Sequence, residues 1–203
     1  MTRPSTFFEG LYGRTLRYET AEYNASRTNE RAVEIPIFQD WIDRHPGRML
    51  EVGNVLRHYR PSMAHMVIDR YEQAQGVTNM DILDFKPSVR FDTIVTISTI
   101  EHIGWDDVPR DELRVLDVIP HLRRMLNGRG RLLVSFPLGH NATLDHQMSL
   151  NPRGLLMVRT DRPAERQAGT WEPRPSAGAD VYPYLHHAWS AGAVWIGEFG
   201  PLP

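Results

Sequence analysis

The stretch FDTIVTISTIEH, residues 91–102, decides the fold of this chain. Its first eight residues form a strongly β-branched and apolar run, which is typical of a buried strand. Polar residues, among them Ser98, Glu101 and His102, follow at the point where this strand would end. A buried strand that ends in polar groups is expected in an α/β fold whose sheet carries a site at its strand ends.

Similar runs occur on both sides of this stretch and alternate with helical patterns. We predict helices over 29–44 and 109–126, with a break or kink in the first at Pro36, because proline cannot donate a backbone hydrogen bond. The turn Asn127–Gly130 precedes one further buried strand. Strands that alternate with helices indicate a doubly wound, mostly parallel sheet. The remaining predicted strands cover residues 49–53, 66–69, 77–81, 131–137 and 194–199.

Composition limits the class of protein. The chain has 203 residues, of which 41% are hydrophobic, so we expect one globular domain. Its 23 Lys and Arg side chains are balanced by 25 Asp and Glu, which argues against a nucleic-acid partner. No cysteine is present, which excludes disulfides and thiolate metal sites. No apolar run is long enough for a membrane span or a signal peptide, so we expect a cytoplasmic protein.

Taken in order, these segments resemble the class I S-adenosylmethionine-dependent methyltransferases over residues 48–138. The resemblance rests on LEVG (50–53), Asp69, the acidic turn at Asp81, the run FDTIV (91–95) with its turn, and LNGRGRL (126–132). It implies a Rossmann-like methyltransferase fold and S-adenosylmethionine as cofactor. In that family, residues at the positions of Asp69 and Asp81 hold the ribose hydroxyls and lie beside the adenine. The cofactor-binding residues that the resemblance implies here are Glu51, Gly53, Asp69, Asp81, Ile82 and Ser98.

The sequence departs from the family at the loop after the first strand. This loop reads GNVLR (53–57), with a single glycine and with Val55 where a second glycine is expected. Only about a dozen residues separate the first and second strands, and only 70–76 separate the second and third, too few for full crossover helices. We therefore expect a reduced helical layer after strands 1 and 2. We also expect a second copy of the chain or a partner subunit to cover this thin face.

Two polar clusters at strand ends are the candidates for catalysis. The first contains Glu101 and His102, and the second, LGHNATLDH (138–146), contains His140 and Asp145. A histidine can take a proton from an amine or hydroxyl near neutral pH, and a carboxylate can orient it. Both clusters also have structural explanations, as turn and cap residues of the fold. Their spacing gives little support to a metal site, and we predict none.

The ends of the chain are assigned as substrate-binding segments. Residues 1–46 are expected to be helical and to form a lid, 47–140 the core sheet, and 141–203 a substrate loop and closing strands, with a long loop over 161–183. Arginine forks can bind anions, and aromatic side chains can line a lid. The candidate substrate contacts are Tyr12, Tyr18, Arg60 and Asn141.

Three functions remain open from the sequence. The first is a methyltransferase that acts on a small molecule or a carrier-tethered metabolite, in secondary metabolism. The second is an enzyme of the same fold that no longer uses S-adenosylmethionine. It would catalyse an intramolecular displacement, such as aziridine formation with loss of sulfate, together with a partner subunit. The third is a non-catalytic subunit that stabilises an enzyme, because fold alone does not determine activity.

Overall fold

The structure is a computed structural model that describes residues 6–149, 154–160, 170–175, 184–185 and 190–202. The chain divides into two compact units. The parallel unit comprises residues 41–135 and 198–203, and the antiparallel unit comprises residues 1–40 and 136–197. No helix in the described ranges has the length and apolarity that a membrane span needs.

The parallel unit contains five strands in the order β5-β4-β3-β6-β7, and each neighbouring pair is parallel. The chain runs from β3 outward to β5 and then returns to the other side of β3, so the strand order reverses between β3 and β6. This reversal is the doubly wound arrangement, in which ligands bind beyond the carboxyl ends of the strands. The strands are β3 (Met49–Val52), β4 (Met66–Ile68), β5 (Val77–Thr78), β6 (Phe91–Ile97) and β7 (Leu126–Pro137).

The antiparallel unit continues from the last residues of β7. Its strands follow the order β12-β8-β9, and the pairs β12–β8 and β8–β9 are antiparallel. The five parallel strands of the parallel unit, in their doubly wound order, confirm the predicted α/β fold class. Its strands are β8 (Leu155–Arg159), β9 (Trp171–Pro175) and β12 (Ala193–Phe199), and β10 (Tyr184–Leu185) pairs with β11 (Ser190–Ala191).

Helix α1 (Arg31–Arg44) confirms the predicted helix, but the break expected at Pro36 is wrong. Proline at this position leaves the carbonyl of Ala32 without its helical donor. The backbone N–H of Glu19 donates to that carbonyl at 2.9 Å instead, and the helix runs on through Pro36. The Asn29 side chain caps the start of the helix by accepting the N–H of Arg31 at 3.0 Å.

The helical layer after strands 1 and 2 of the parallel sheet is reduced, as predicted. Between β3 and β4 only the short 3₁₀ turn Leu56–His58 forms, and no helix lies between β4 and β5. The strands are nevertheless covered, since every residue of β3 is buried and so are Val67 and Ile68 in β4. The burial of β3 and β4 therefore gives no evidence of an uncovered apolar face. The partner expected to cover such a face remains a prediction.

Four other expectations are wrong. Residues 7–17 form a hairpin of β1 (Phe7–Glu9) and β2 (Thr15–Arg17) where a helix was expected. The helix predicted over 109–126 is shortened to a 3₁₀ turn at Arg114–Asp117 and α2 (Val118–Arg124). The predicted turn 127–130 lies within β7, and the predicted loop 161–183 contains β9, with 161–169 and 176–183 outside the described residues.

Candidate functional site

The carboxyl ends of the parallel strands bring four of the predicted cofactor residues to one edge of the parallel unit. Gly53 follows β3, Asp69 follows β4 and Ser98 follows β6, while Asp81 lies three residues beyond β5. Because the strands are parallel, their carboxyl ends meet at the same edge, beside the reversal of strand order between β3 and β6. The sequence placed these residues at one site, and the topology does the same.

Glu51 lies within β3, two residues before Gly53, and both of its carboxylate oxygens have hydrogen-bond partners. Oε1 accepts the N–H groups of Val55 and Leu56 at 2.8 and 2.7 Å, and Oε2 lies 2.6 Å from His65 Nε2. Both side chains of the Glu51–His65 pair are fully buried. His65 Nδ1 faces the carbonyl of Met63, so this nitrogen is the donor and one proton must also lie between Nε2 and Oε2. Glu51 therefore anchors the loop after β3.

Asp69 uses one carboxylate oxygen locally. Oδ1 accepts the N–H groups of Tyr71 and Glu72, each at 2.8 Å, which is the geometry of an Asx turn. Among the described residues, Oδ2 makes no hydrogen bond or ion pair. This oxygen is consequently the acceptor that Asp69 can offer to a ligand.

Asp81 begins a short turn and is held by two arginines. Its Oδ1 accepts the N–H of Leu83 at 2.9 Å. Its Oδ2 lies 2.7 Å from Arg114 Nη2 and 3.5 Å from Arg70 Nη1, and Ile82, which follows it, is buried. Arg70 also pairs with Asp107 at 2.8 Å. The acid expected beside an adenine is thus part of an ion-pair network.

The backbone at the switch point is constrained at two residues. Gly53 has a φ of +87°, and a Cβ at this position would lie 2.3 Å from Thr99 Oγ1, so only glycine fits here. Ser98 has a φ of +39°, a conformation that is uncommon for residues other than glycine. Strained residues of this kind cluster at functional sites, since the surrounding structure must hold them in place.

His102 and Asp106 form an oriented pair in the loop after β6. His102 Nδ1 lies 2.5 Å from Asp106 Oδ2, and its Nε2 lies 3.7 Å from Oε1 of Glu101. Since a carboxylate only accepts hydrogen bonds, Nδ1 carries the proton and Nε2 is the basic nitrogen of the neutral ring. Glu101 is buried, whereas about half of the His102 side chain is exposed. The pair can therefore take a proton from a molecule in solution.

A cleft of about 410 Å³ adjoins this pair in the parallel unit. The cleft is polar and contains two arginines, three aspartates and the exposed ring of Tyr71. Asp106 belongs to its wall, so the oriented histidine lies next to the cleft. Its volume is in the range of small-molecule sites. The lining residues are Arg70, Tyr71, Asp106, Asp107, Val108, Pro109, Asp111 and Arg114.

The second predicted cluster lies in the antiparallel unit, where the expected loop is partly helix α3 (Ala142–Ser149). Asn141 is buried and its Oδ1 accepts the N–H of Leu144 at 3.1 Å, as a helix cap does. Asp145 Oδ2 accepts the N–H of Gly139 at 2.8 Å, and burial raises the pKa of this carboxyl to about 6. His140, which precedes Asn141, is partly buried. The capping explanation applies to Asn141, and Asp145 keeps its proton to a higher pH than an exposed aspartate does.

The predicted substrate contacts take different positions. Tyr12 is exposed at the tip of the β1–β2 hairpin with a φ of 60°. The hydroxyl of Tyr18 accepts the N–H of Trp171 at 2.9 Å and joins the strand end to β9. In the parallel unit, Arg60 pairs with Asp43 at 2.7 Å and is not among the residues of the cleft.

Comparison with known proteins gives similarity of structure alone. No family profile matches the chain, and no curated protein matches it. Solved structures of similar fold include methyltransferases. One is the N-methyltransferase NodS from Bradyrhizobium japonicum WM9 with S-adenosyl-L-homocysteine, 14% identical over 77% of this chain and 79% of NodS, with a TM-score of 0.42. Another is a TehB-like S-adenosylmethionine-dependent methyltransferase from Corynebacterium glutamicum, 16% identical over 80% and 86%, with a TM-score of 0.43.

A third is a possible histamine N-methyltransferase from Thermotoga maritima, 14% identical over 75% of this chain and 81% of that one, with a TM-score of 0.42. These structures are thus of the kind that the sequence resemblance predicted. At such identities and TM-scores they establish nothing about the activity of this chain, and its fold is defined by the strand order described above.

The edge residues can be tested against S-adenosylmethionine by their hydrogen-bonding chemistry. The cofactor carries donors, namely two ribose hydroxyls and an ammonium group, which need acceptors on the protein. Asp69 Oδ2 and the buried Oδ1 of Asn54 are such acceptors. These residues fit the cofactor, although the carboxylates of Glu51 and Asp81 are engaged within the protein.

Sequence reasoning missed several residues of this site. Asp106 is not among the residues predicted from the sequence, yet its spacing of four residues from His102 is a usable signal. His65, Arg70 and Arg114 belong to no sequence motif. Only the tertiary structure shows that they pair with the acidic side chains of Glu51 and Asp81.

Proposed function

We propose that this chain is an S-adenosylmethionine-dependent methyltransferase that acts on a small molecule or a carrier-tethered metabolite of secondary metabolism. The observation that carries the proposal is the pair His102–Asp106, with 2.5 Å between Nδ1 and Oδ2, after the central strand β6 and beside the cleft. A nucleophile that attacks a methyl group must lose a proton, and an oriented imidazole removes it.

Asp106, His102 and Glu101 have different roles in the removal of this proton. Asp106 holds the Nδ1 proton, so Nε2 of His102 accepts the proton of the attacking amine or hydroxyl. Glu101, whose Oε1 lies 3.7 Å from Nε2, is buried and stabilises the imidazolium that results. The cleft orients the nucleophile, and orientation supplies much of the barrier reduction in such reactions.

Asp69 and Asn54 would hold the cofactor at the ends of β3 and β4. When bound, S-adenosylmethionine supplies a methyl group that its sulfonium already activates. The protein then needs to bind, to align and to remove one proton, and it needs no metal for these tasks.

The first experiment is calorimetric titration with S-adenosylmethionine and with S-adenosylhomocysteine. We expect micromolar binding to the wild type and at least tenfold weaker binding to Asp69→Asn, because one acceptor of the ligand hydroxyls changes to an amide. Asp84→Asn, an exposed acid of the same edge, is the matched control. The absence of heat from folded wild type at millimolar ligand would contradict the cofactor assignment.

Catalysis is tested by transfer of a labelled methyl group to defined amines and hydroxyl compounds. His102→Asn should lower turnover by about 10²-fold or more with cofactor affinity unchanged, which is the scale for loss of a general base. Asp117→Asn, at an exposed acid of the same unit that does not line the cleft, is the control. Equal turnover in wild type and His102→Asn would remove His102 as the base, whereas no turnover by the folded wild type would favour a non-catalytic, stabilising role.

A second candidate is favoured by the engaged carboxylates and by Val55. Glu51 and Asp81 are both committed to the protein, and Val55 stands where close approach to a cofactor favours glycine. In this alternative His102 takes a proton from an amine of the substrate. The amine nitrogen bonds to a neighbouring carbon while the C–O bond to a leaving group such as sulfate breaks, and a ring closes. Absence of cofactor binding together with sulfate release from a sulfated amino compound would select it.

A partner subunit or a second copy remains part of both proposals. This expectation comes from the sequence, in which the connections on either side of β4 are short. Sedimentation of the full chain tests this expectation, and a monomer that catalyses the reaction alone would contradict it.

A further inference from the structure

Asn54 carries an unusual polar atom at the end of β3. Its side chain follows Gly53 at the switch point, and the residue is only 5% exposed. Its Oδ1 is buried and has no hydrogen-bond partner among the described residues. An acceptor that is buried in this way costs roughly 1–3 kcal/mol, so most buried acceptors have partners.

The orientation of this amide is determined by its neighbour. Asn54 Nδ2 donates to Glu72 Oε1 at 2.7 Å. Turning the amide around would place Oδ1 against that carboxylate oxygen, and two acceptors would then face each other. The unmatched atom is therefore the carbonyl oxygen and not the amide nitrogen.

Glu72 is itself held in place by the cluster around it. Its backbone N–H donates to Asp69 Oδ1 at 2.8 Å, and Asn79 Nδ2 donates to the carbonyls of both Glu72 and Asp69 at 2.8 and 3.0 Å. Asp69 contributes its remaining oxygen, Oδ2, to the same cluster. The ends of β3 and β4 thus present two acceptors, and the part of the chain that the structure describes supplies a donor to neither of them.

We propose that Asn54 Oδ1 accepts a hydrogen bond from a hydroxyl or ammonium group of the bound methyl donor, with Glu72 as the residue that positions it. This inference rests on the proposed function, because it assigns a new contact to the same donor. Glu72 acts through Asn54 and is a positioning residue. The shared chemistry is an N–H or O–H donor, which the methyl donor carries on its ribose and on its amino-acid part.

The test measures the dissociation constants of S-adenosylhomocysteine and 5′-methylthioadenosine, which lacks the amino-acid part. Asn54→Ala should weaken S-adenosylhomocysteine binding about 10-fold, the effect of one lost hydrogen bond. If binding of methylthioadenosine weakens equally, the donor lies on the adenosine part, and if only binding of S-adenosylhomocysteine weakens, the donor is the ammonium group. Gln73→Ala, which removes an exposed amide next to Glu72 without touching Asn54, should bind like the wild type.

The double variant Asn54→Asp/Glu72→Gln tests the same inference without removing the side chain of Asn54. The new glutamine amide donates to one oxygen of the new carboxylate, whose other oxygen remains an acceptor, so binding should recover to within about threefold of wild type. Wild-type affinity in folded Asn54→Ala for both ligands would overturn the inference and leave the proposed function standing. Failure of the wild type to bind either ligand would overturn both.

Discussion

Glu30, at the start of α1 in the antiparallel unit, makes the stability of the protein depend on pH. Burial raises the pKa of this carboxyl to about 6 from its ordinary value of 4.5, and the neighbouring carboxylate of Glu34 adds to the rise. The guanidinium of Arg31 opposes it, as does the N–H of Ala191, which donates to Glu30 Oε2 at 3.1 Å. The charged form is therefore disfavoured in the folded state.

The sign of the effect follows from proton binding. Between pH 4.5 and about 6 the folded chain keeps a proton on Glu30 that the unfolded chain has lost, so stability falls as pH rises through this window. The full difference corresponds to about 2 kcal/mol. Glu30→Gln removes the titration and keeps an oxygen for the N–H of Ala191. We expect the free energy of unfolding of the variant, relative to that of wild type, to rise by about 2 kcal/mol from pH 4 to pH 8. This corresponds to about 4–8 °C in Tm.

Urea denaturation of wild type and Glu30→Gln at pH 4, 5, 6, 7 and 8 measures this difference directly. The exposed Glu9→Gln serves as the control, and it should show no difference that changes with pH. A Glu30→Gln effect of the same size at pH 4 and pH 8 would refute the reasoning, since it would mean that the charge on Glu30 carries no cost.

Two further substitutions test contacts of the fold. His65→Ala leaves the Glu51 carboxylate buried without its partner and should lower the free energy of unfolding by about 3–5 kcal/mol. The control His58→Ala, at an exposed position, should change the free energy of unfolding little. Equal effects of the two variants in denaturant melts would contradict the role of the pair. Tyr18→Phe removes the hydroxyl that bonds Trp171 and should lower Tm by a few degrees, and an unchanged Tm, like that expected of Tyr12→Phe, would show that this link is not stabilising.

The sheet could be predicted because its strands are distinctive in the sequence. Residues 91–97 and 49–52 are apolar runs that end in glycine or polar residues, and this pattern has few alternatives. Pro36 misled the prediction for a local reason, because the N–H of Glu19 compensates the carbonyl that proline leaves free. The hairpin at 7–17 has too few residues for a periodic pattern, so its strands could not be separated from a helix.

The positions of the site residues were predictable, but their partners were not. A strand end places Asp69 and Asp81 at the edge regardless of what surrounds them. Whether each carboxylate faces a ligand or a neighbour depends on distant residues, such as Arg114 for Asp81 and His65 for Glu51. A lone arginine or histidine in a sequence gives no indication of which acid it will meet, and only the folded chain supplies that information.

The connection between β3 and β4 has a consequence for how the protein opens. A crossover helix protects its amides from exchange with solvent through its own ladder, but here the N–H groups of Val55 and Leu56 are protected by the side chain of Glu51. Glu51 in turn is held by His65 at the far end of the same connection. The Glu51–His65 contact thus couples the two ends of the connection, and its loss should speed amide exchange at Val55 and Leu56 while the ladders of β3 and β4 stay protected.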